Sequence, residues 1–385
     1  ICRIKKLNSE SKELQLGFEQ LPAVNGAFVC MDVATGAVKV MVGGYDFSQS
    51  KFNNATQGNR QTGSVFKPFI YSAAIENGWL ADETIADTPV SFGEWAPHNY
   101  DGGFMGAIAL RKALAQSRNV PAVKLLNAVG IKKGVEIVKR FGITNKMAPY
   151  LPSALGATEV PLIEMVAAYC TFPNAGMRPA PFYIRRITDS EGRLLEERQP
   201  ELNKAISPYV AATMVSMMEG VVQSGTAARI KADADLAKWP IAGKTGTVND
   251  FTDAWFIGYT PEVAAGFWVG YPGEKRTLGE GETGAEAALP VWIDFMKYYI
   301  KERPIVKFPE TPKPEAEIAR LQEKRRKQQE ININLNAIGA DALPDNGEML
   351  LNNNNLSQPD PDLPPPPPPP KRPLVFEGEE EEDGG

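Results

Sequence analysis

The stretch AGKTGTVNDFTDAWFIGYTPEVAAGFWVGY, residues 242–271, opens with Ala-Gly-Lys-Thr and then runs into two apolar segments. A Gly-Lys-Thr also ends the phosphate-binding loop G-x-x-x-x-G-K-[ST], whose first glycine starts the turn that aims backbone N–H groups at phosphates. Here that first position is Lys238, and Pro240 removes an N–H donor. The residues after it, GTVND, favour strand and turn over the helix such a loop needs. The nucleotide reading therefore fails. The stretch reads instead as a strand followed by a hairpin: AWFIGY (254–259) and EVAAGFWVGY (262–271), joined tightly at Thr260-Pro261.

A matching pair of apolar runs lies far upstream. GAFVCMDVATGAVKVMVGG, residues 26–44, reads as a hairpin turning at Thr35-Gly36. Between the two hairpins the pattern is helical. A helix fits SVFKPFIYSAAIEN, closed by Gly78, after a polar loop over 45–62. Residues 79–104 are irregular and contain aromatics, and helical patterns follow in 106–116, 121–129, 133–141, 160–171 and 208–222. A last amphipathic helix fits 285–300. Strands at both ends with helices between imply one antiparallel sheet built from distant segments, with a helical subdomain: an α+β fold, not alternating βαβ.

The 385 residues suit one large domain or two ordinary ones. Residues 1–25 read as the end of a linker, 26–303 as the folded domain, and 304–385 as a mostly disordered tail. Within that tail, residues 309–330 suit a short exposed charged helix. The proline run and the acidic end bury too little apolar surface to order themselves. Net charge is −6, much of it in EGEEEEDGG at the end, so no basic face argues for nucleic acid. One histidine, His98, excludes a metal site built on two or more histidines, and no cofactor motif is present. Cys30 and Cys170 sit in apolar surroundings and read as buried thiols; Cys2 completes the three. The chain starts at Ile1 with no signal peptide and no apolar run of membrane-spanning length, and reads as a fragment or processed product.

Three short motifs carry chemistry. Ser64 and Lys67 form S-x-x-K. Pro68 is tolerated only in a helix's first turn, which puts Ser64 at a helix start, where exposed N–H groups favour developing negative charge. Lys67 follows one turn later on the same face. Ser9/Lys12 and Ser48/Lys51 share the spacing but lie in polar segments with no helix to follow. A serine hydroxyl needs a base beside it, and lysine serves only if burial or a nearby cation lowers its pKa. Ser117 and Asn119 form S-x-N between two helical patterns, offering a hydroxyl to relay a proton and an amide to orient a neighbour. Lys244-Thr245-Gly246-Thr247 is the third. On a strand Lys244 and Gly246 point one way and the threonines the other, with Gly246 leaving room for a substrate backbone.

The order is the strong signal: S-x-x-K, S-x-N roughly fifty residues later, K-T-G about 125 residues after that. This set, with S-D-N in the middle, belongs to penicillin-binding proteins and class A β-lactamases. Arg118 replaces the aspartate, a change expected to matter little because it lies between the two functional residues. The chain resembles the transpeptidase domain of class A penicillin-binding proteins. Further blocks in family order carry the likeness: NYDGGFMGAIALRKALAQSRNVPAVKL, PSALGATEVPLIEMVAAYCTF and SGTA, across roughly residues 26–300.

The resemblance implies a five-stranded antiparallel sheet flanked by helices, with an all-helical subdomain. It implies Ser64 as acylated nucleophile, Lys67 as proton acceptor, and Ser117 and Asn119 in the cleft. Lys244 would supply charge, Thr245 and Thr247 would hold a donor carboxylate, and the backbone N–H groups of Ser64 and Thr247 would form the oxyanion hole. The expected reaction is D,D-transpeptidation of peptidoglycan stem peptides, with β-lactams as covalent inhibitors. An upstream glycosyltransferase domain and membrane anchor are expected partners, which would place this domain outside the cytoplasmic membrane. A serine β-lactamase would add an E-x-x-L-N motif, which does not occur between the second and third motifs. A D,D-carboxypeptidase would use the same residues with water as acceptor. A catalytically silent scaffold would have let a motif decay.

Overall fold

The structure, a computed structural model, describes residues 2–7, 14–18, 20–309 and 314–341. Five antiparallel strands make the main sheet: β1 Asn25–Asp32, β2 Val38–Val42, β3 Ala242–Thr247, β4 Asp253–Tyr259 and β5 Val263–Gly270. Their spatial order is β3-β4-β5-β1-β2. The two distant hairpins join between β5 and β1, where Phe267 lies opposite Phe28 and Ala265 opposite Cys30. Gly36, at φ +83°, makes the first turn.

The period of two explains why these strands carry apolar residues at consecutive positions. Trp255, Ile257 and Tyr259 of β4 enter one core with Ala27, Val29 and Met31 of β1. Phe256 of β4 and Phe28 and Cys30 of β1 enter a second core on the opposite face. A sheet covered on both faces needs no polar alternation. The helices around it are α1 Lys67–Glu76, α2 Leu110–Ala115, α3 Asn119–Val129, α4 Ile131–Arg140, α5 Leu162–Cys170, α6 Pro208–Ser224 and α7 Leu289–Tyr299. Helices α1 and α5 fill the first core. Helix α7 closes the second, with Trp292 donating its indole N–H to the Ala265 carbonyl at 3.0 Å.

Several details differ from expectation. Residues 106–109 form a strand, not helix, pairing with Thr84–Asp87. Gly106 at φ +70° breaks the helical path before α2 can start. Before β1, the backbone of Cys2–Leu7 pairs with Leu14–Phe18. The charged segment after the domain forms a 27-residue helix, α8 Glu315–Asp341, longer than expected and not fully exposed. Leu321 is buried, and Arg325 reaches the Glu83 carboxylate at 2.8 Å while its guanidinium lies 3.8 Å from the centre of the Trp79 ring. The proline-rich and acidic stretch lies outside the described residues. Among the described residues, no helix is long and apolar enough to cross a membrane.

Candidate active site

Ser64 lies in a 3-10 turn, Gly63–Phe66, that runs directly into α1 with Pro68 in its first turn. The turn is pinned on every side. Tyr169 donates its hydroxyl to the Val65 carbonyl at 2.7 Å, and Trp255 donates its indole N–H to the Gln61 carbonyl at 2.9 Å. Gly63, at φ +54°, donates its N–H to the Gly156 carbonyl at 3.1 Å. A Cβ on Gly63 would stand 2.5 Å from the Thr247 carbonyl oxygen, so the Ser64 turn and the end of β3 are in direct contact. Gly246 serves the same approach. Its missing side chain makes room for Val65 and the Thr62 carbonyl, which a Cβ would meet at 2.8 Å and 2.9 Å. The space left by the missing Gly246 side chain is thus taken by the chain itself.

Lys67 and Lys244 are fully buried. The Lys67 amine donates to the Ser117 carbonyl and to Asn119 Oδ1, each at 2.6 Å, and lies 3.4 Å from Ser117 Oγ. Lys244 reaches Ser117 Oγ at 2.8 Å and the Thr245 carbonyl at 3.0 Å. Two lysines from α1 and β3 therefore converge on one hydroxyl, and among the described residues neither pairs with a carboxylate. Burial, then the charges of Lys244 and Arg118, push the Lys67 amine well below its usual range. Burial brings Lys244 down to about 7. With two N–H groups given to two acceptors, a neutral Lys67 keeps one lone pair free. The Ser64 hydroxyl makes no hydrogen bond within the described residues. Its carbonyl accepts the Lys67 N–H, which fixes the two side chains one turn apart.

The threonines lie on the other face of β3. Thr245 Oγ1 is 2.6 Å from Thr226 Oγ1, at the end of α6, while Thr247 Oγ1 accepts the Gly284 N–H at 3.1 Å. Thr226 belongs to the S-G-T-A block, whose sequence gave no sign of its position. His98 is exposed; only its carbonyl touches the site, accepting from Asn119 Nδ2 at 2.8 Å.

Arg118 is no passive filler, contrary to expectation. It is 6% exposed and donates through Nε to Asp87 and through Nη1 to Asp101, both at 2.7 Å, and through Nη2 to the Gly103 carbonyl. Burial works against its charge, yet the hydrogen bonds to Asp101 and Asp87 hold its pKa above the usual range.

The profile of the penicillin binding protein transpeptidase domain matches residues 26–288. Penicillin-binding protein 1A of Neisseria lactamica is 41% identical over 298 residues, covering 74% of this chain and 37% of that protein. Penicillin-binding protein 1A of Aquifex aeolicus is 40% identical over 292 residues, covering 74% and 39% respectively. The chain thus spans less than two fifths of the length of these relatives. The crystal structure of penicillin-binding protein 1A from Haemophilus influenzae superposes with a TM-score of 0.74 at 32% identity, covering 80% of this chain and 52% of that one. The penicillin-binding protein PonA1 from Mycobacterium tuberculosis shares the fold at TM-score 0.69 and 24% identity, over 76% of this chain and 82% of its own.

Proposed function

The chain belongs to the penicillin-binding protein transpeptidase family, and from that premise we propose that it cross-links peptidoglycan stem peptides through an acyl-enzyme on Ser64. The observation that carries this reading is the convergence of the buried amines of Lys67 and Lys244 on Ser117 Oγ. Neutral Lys67 takes the Ser64 proton as Oγ bonds to the penultimate D-alanine carbonyl of the donor stem. The backbone N–H groups of Ser64 and Thr247 receive the oxyanion, each such donor contributing about 2.7–4 kcal/mol in the transition state. The C–N bond then breaks, and the proton returns through Ser117 to the departing D-alanine amine. Ser117 suits the relay, since accepting from Lys244 leaves its own proton free to donate. An amine of a second stem attacks the ester, passes its proton to Lys67, and Ser64 leaves with that proton.

Asn119 orients Lys67 through Oδ1. Lys244 and Thr245 receive the donor's terminal carboxylate, helped by Thr226, and Thr247 contributes from the end of the strand. Gly246 acts by admitting the Ser64 turn. β-Lactams acylate Ser64 in the same way and leave slowly. The substrate places the domain on the outer side of the cytoplasmic membrane. A membrane anchor and a glycosyltransferase domain are the partners we assign to the longer protein, with residues 26–303 as the transpeptidase domain between a linker and a C-terminal tail.

Fluorescent penicillin followed by peptide mapping tests the chemistry. We expect one adduct, on Ser64, absent from Ser64→Ala; labelling that survives the substitution would overturn the assignment. With lipid-linked glycan strands, cross-linked stem dimers are expected. Release of D-alanine without dimers would make water the acceptor instead.

A further inference from the structure

Helix α3 begins immediately after Arg118, and the chain enters it through a sharp turn. Ser117 has φ +54°, a left-handed conformation that costs a non-glycine residue, and Arg118 is extended. This turn directs the Ser117 carbonyl and Asn119 Oδ1 at the Lys67 amine. Something must hold it, and the partners of Arg118 form a closed ring that does. Asp87, fully buried, accepts from Arg118 Nε with one oxygen and from Asn99 Nδ2 with the other, each at 2.7 Å. Asn99 Oδ1 then accepts the N–H groups of Asn119 at 2.9 Å and Val120 at 3.2 Å, satisfying the first turn of α3. Met105 N–H also donates to Asp87, at 3.1 Å, and Asp101 grips the guanidinium from the surface.

We infer that Arg118 is a positioning residue for the acyl-transfer reaction: through Asp87, Asp101 and Asn99 it locks the Ser117–Asn119 turn onto the Lys67 amine without touching substrate. The inference rests on Lys67 acting as the base. A guanidinium fits the place because one planar fork answers two carboxylates and a carbonyl together, which an ammonium cannot. The charges facing Lys67 are Lys244 from β3 and Arg118 from the turn; those facing Arg118 are Asp87 and Asp101.

The test is acylation by fluorescent penicillin in the full chain, with Arg118→Gln and Arg118→Lys shown to be folded by thermal melting. Arg118→Gln should acylate roughly a hundredfold more slowly at saturation, with little change in half-saturating concentration. Its acid limb should move to higher pH, since one of the two cations facing Lys67 is gone. Arg118→Lys keeps the charge, so its limb should stay in place while its rate falls between the other two. A folded Arg118→Gln with wild-type rate and pH profile overturns the inference. Should Arg118→Gln fail to fold, Asp101→Asn removes the half-exposed carboxylate alone; it should slow acylation several-fold, and an unchanged rate again overturns it. A wild-type chain that takes no label at Ser64 would refute the functional reading itself, so the two failures are distinguishable.

Discussion

Replacing Lys244 by glutamine separates two things this residue does. The amines of Lys67 and Lys244 both approach Ser117 Oγ, at 3.4 Å and 2.8 Å, so they lie within about 6 Å of each other. At an effective dielectric of about 20, two positive charges at that distance repel by about 3 kcal/mol. That corresponds to roughly a hundredfold in the neutral fraction of Lys67, at pH values where it is mostly protonated. Lys244 titrates at about 7, so this field acts below neutrality and fades above it. The sign follows. In Lys244→Gln, Lys67 holds its proton to higher pH, so the acid limb of acylation should move up. The deficit against wild type should be largest on the acid side, where Lys67 is mostly protonated, and should shrink as rising pH makes Lys67 neutral in both proteins. The contact proposed between Lys244 and the ligand carboxylate would be lost as well, and that loss should remain on the alkaline side. Stopped-flow acylation by fluorescent penicillin across the pH range measures both. A deficit that stays constant, or grows with pH, refutes the electrostatic role.

Three further outcomes follow from the packing. Gly63→Ala should lower the melting temperature by about 2 kcal/mol worth of stability or more and slow acylation, because its Cβ meets the backbone of Thr247 at a positive φ; wild-type values for both would show that the turn relaxes freely. Arg325→Ala removes the Glu83 pair and the stacking on Trp79 that hold α8. It should cost about 1–2 kcal/mol in thermal unfolding while leaving the acylation rate of the folded protein unchanged. Cys30 and Cys170 are buried thiols, the first pushed up to about 12 and the second raised further by burial. Neither should react with a thiol reagent near pH 8 until the chain unfolds; native-state labelling of Cys30 would show that the second core opens, and of Cys170 that the first does.

The sheet was legible because strands of this kind announce themselves locally. Turn residues at Thr35-Gly36 and Thr260-Pro261 bracket runs too apolar and too short to be helices, and β4 holds Trp255 and Phe256 in sequence because both of its faces are covered. Helix α1 was legible from Pro68. The strand at 106–109 was not, because Ala-Ile-Ala is at home in a helix; Gly106 at positive φ and the long-range pairing with Thr84–Asp87 decide otherwise. The same limit applies at the site. Lys67, Ser117, Asn119 and Lys244 are found by motif order, and they do converge. Thr226 and Asp87 have no motif; tertiary packing brings them to Thr245 and Arg118.

Arg118 shows why a residue between two functional ones is not free to vary alone. Asp87 is fully buried, and a buried carboxylate without a cation is costly. A neutral residue at 118 would remove the cation bonded to Asp87 and leave only Lys124 of α3 in its field. Loss of the Arg118 charge, which itself faces Lys67, would also favour the protonated amine, the opposite of what a proton acceptor needs. An aspartate at 118 beside an unchanged Asp87 would bring two carboxylates to the same place and strengthen that effect. Arginine answers both requirements. It neutralises Asp87, and its own charge faces Lys67 from the side opposed to no other anion but Asp101, which is half exposed and screened. The sign of the middle residue is therefore tied to the sign of its partners.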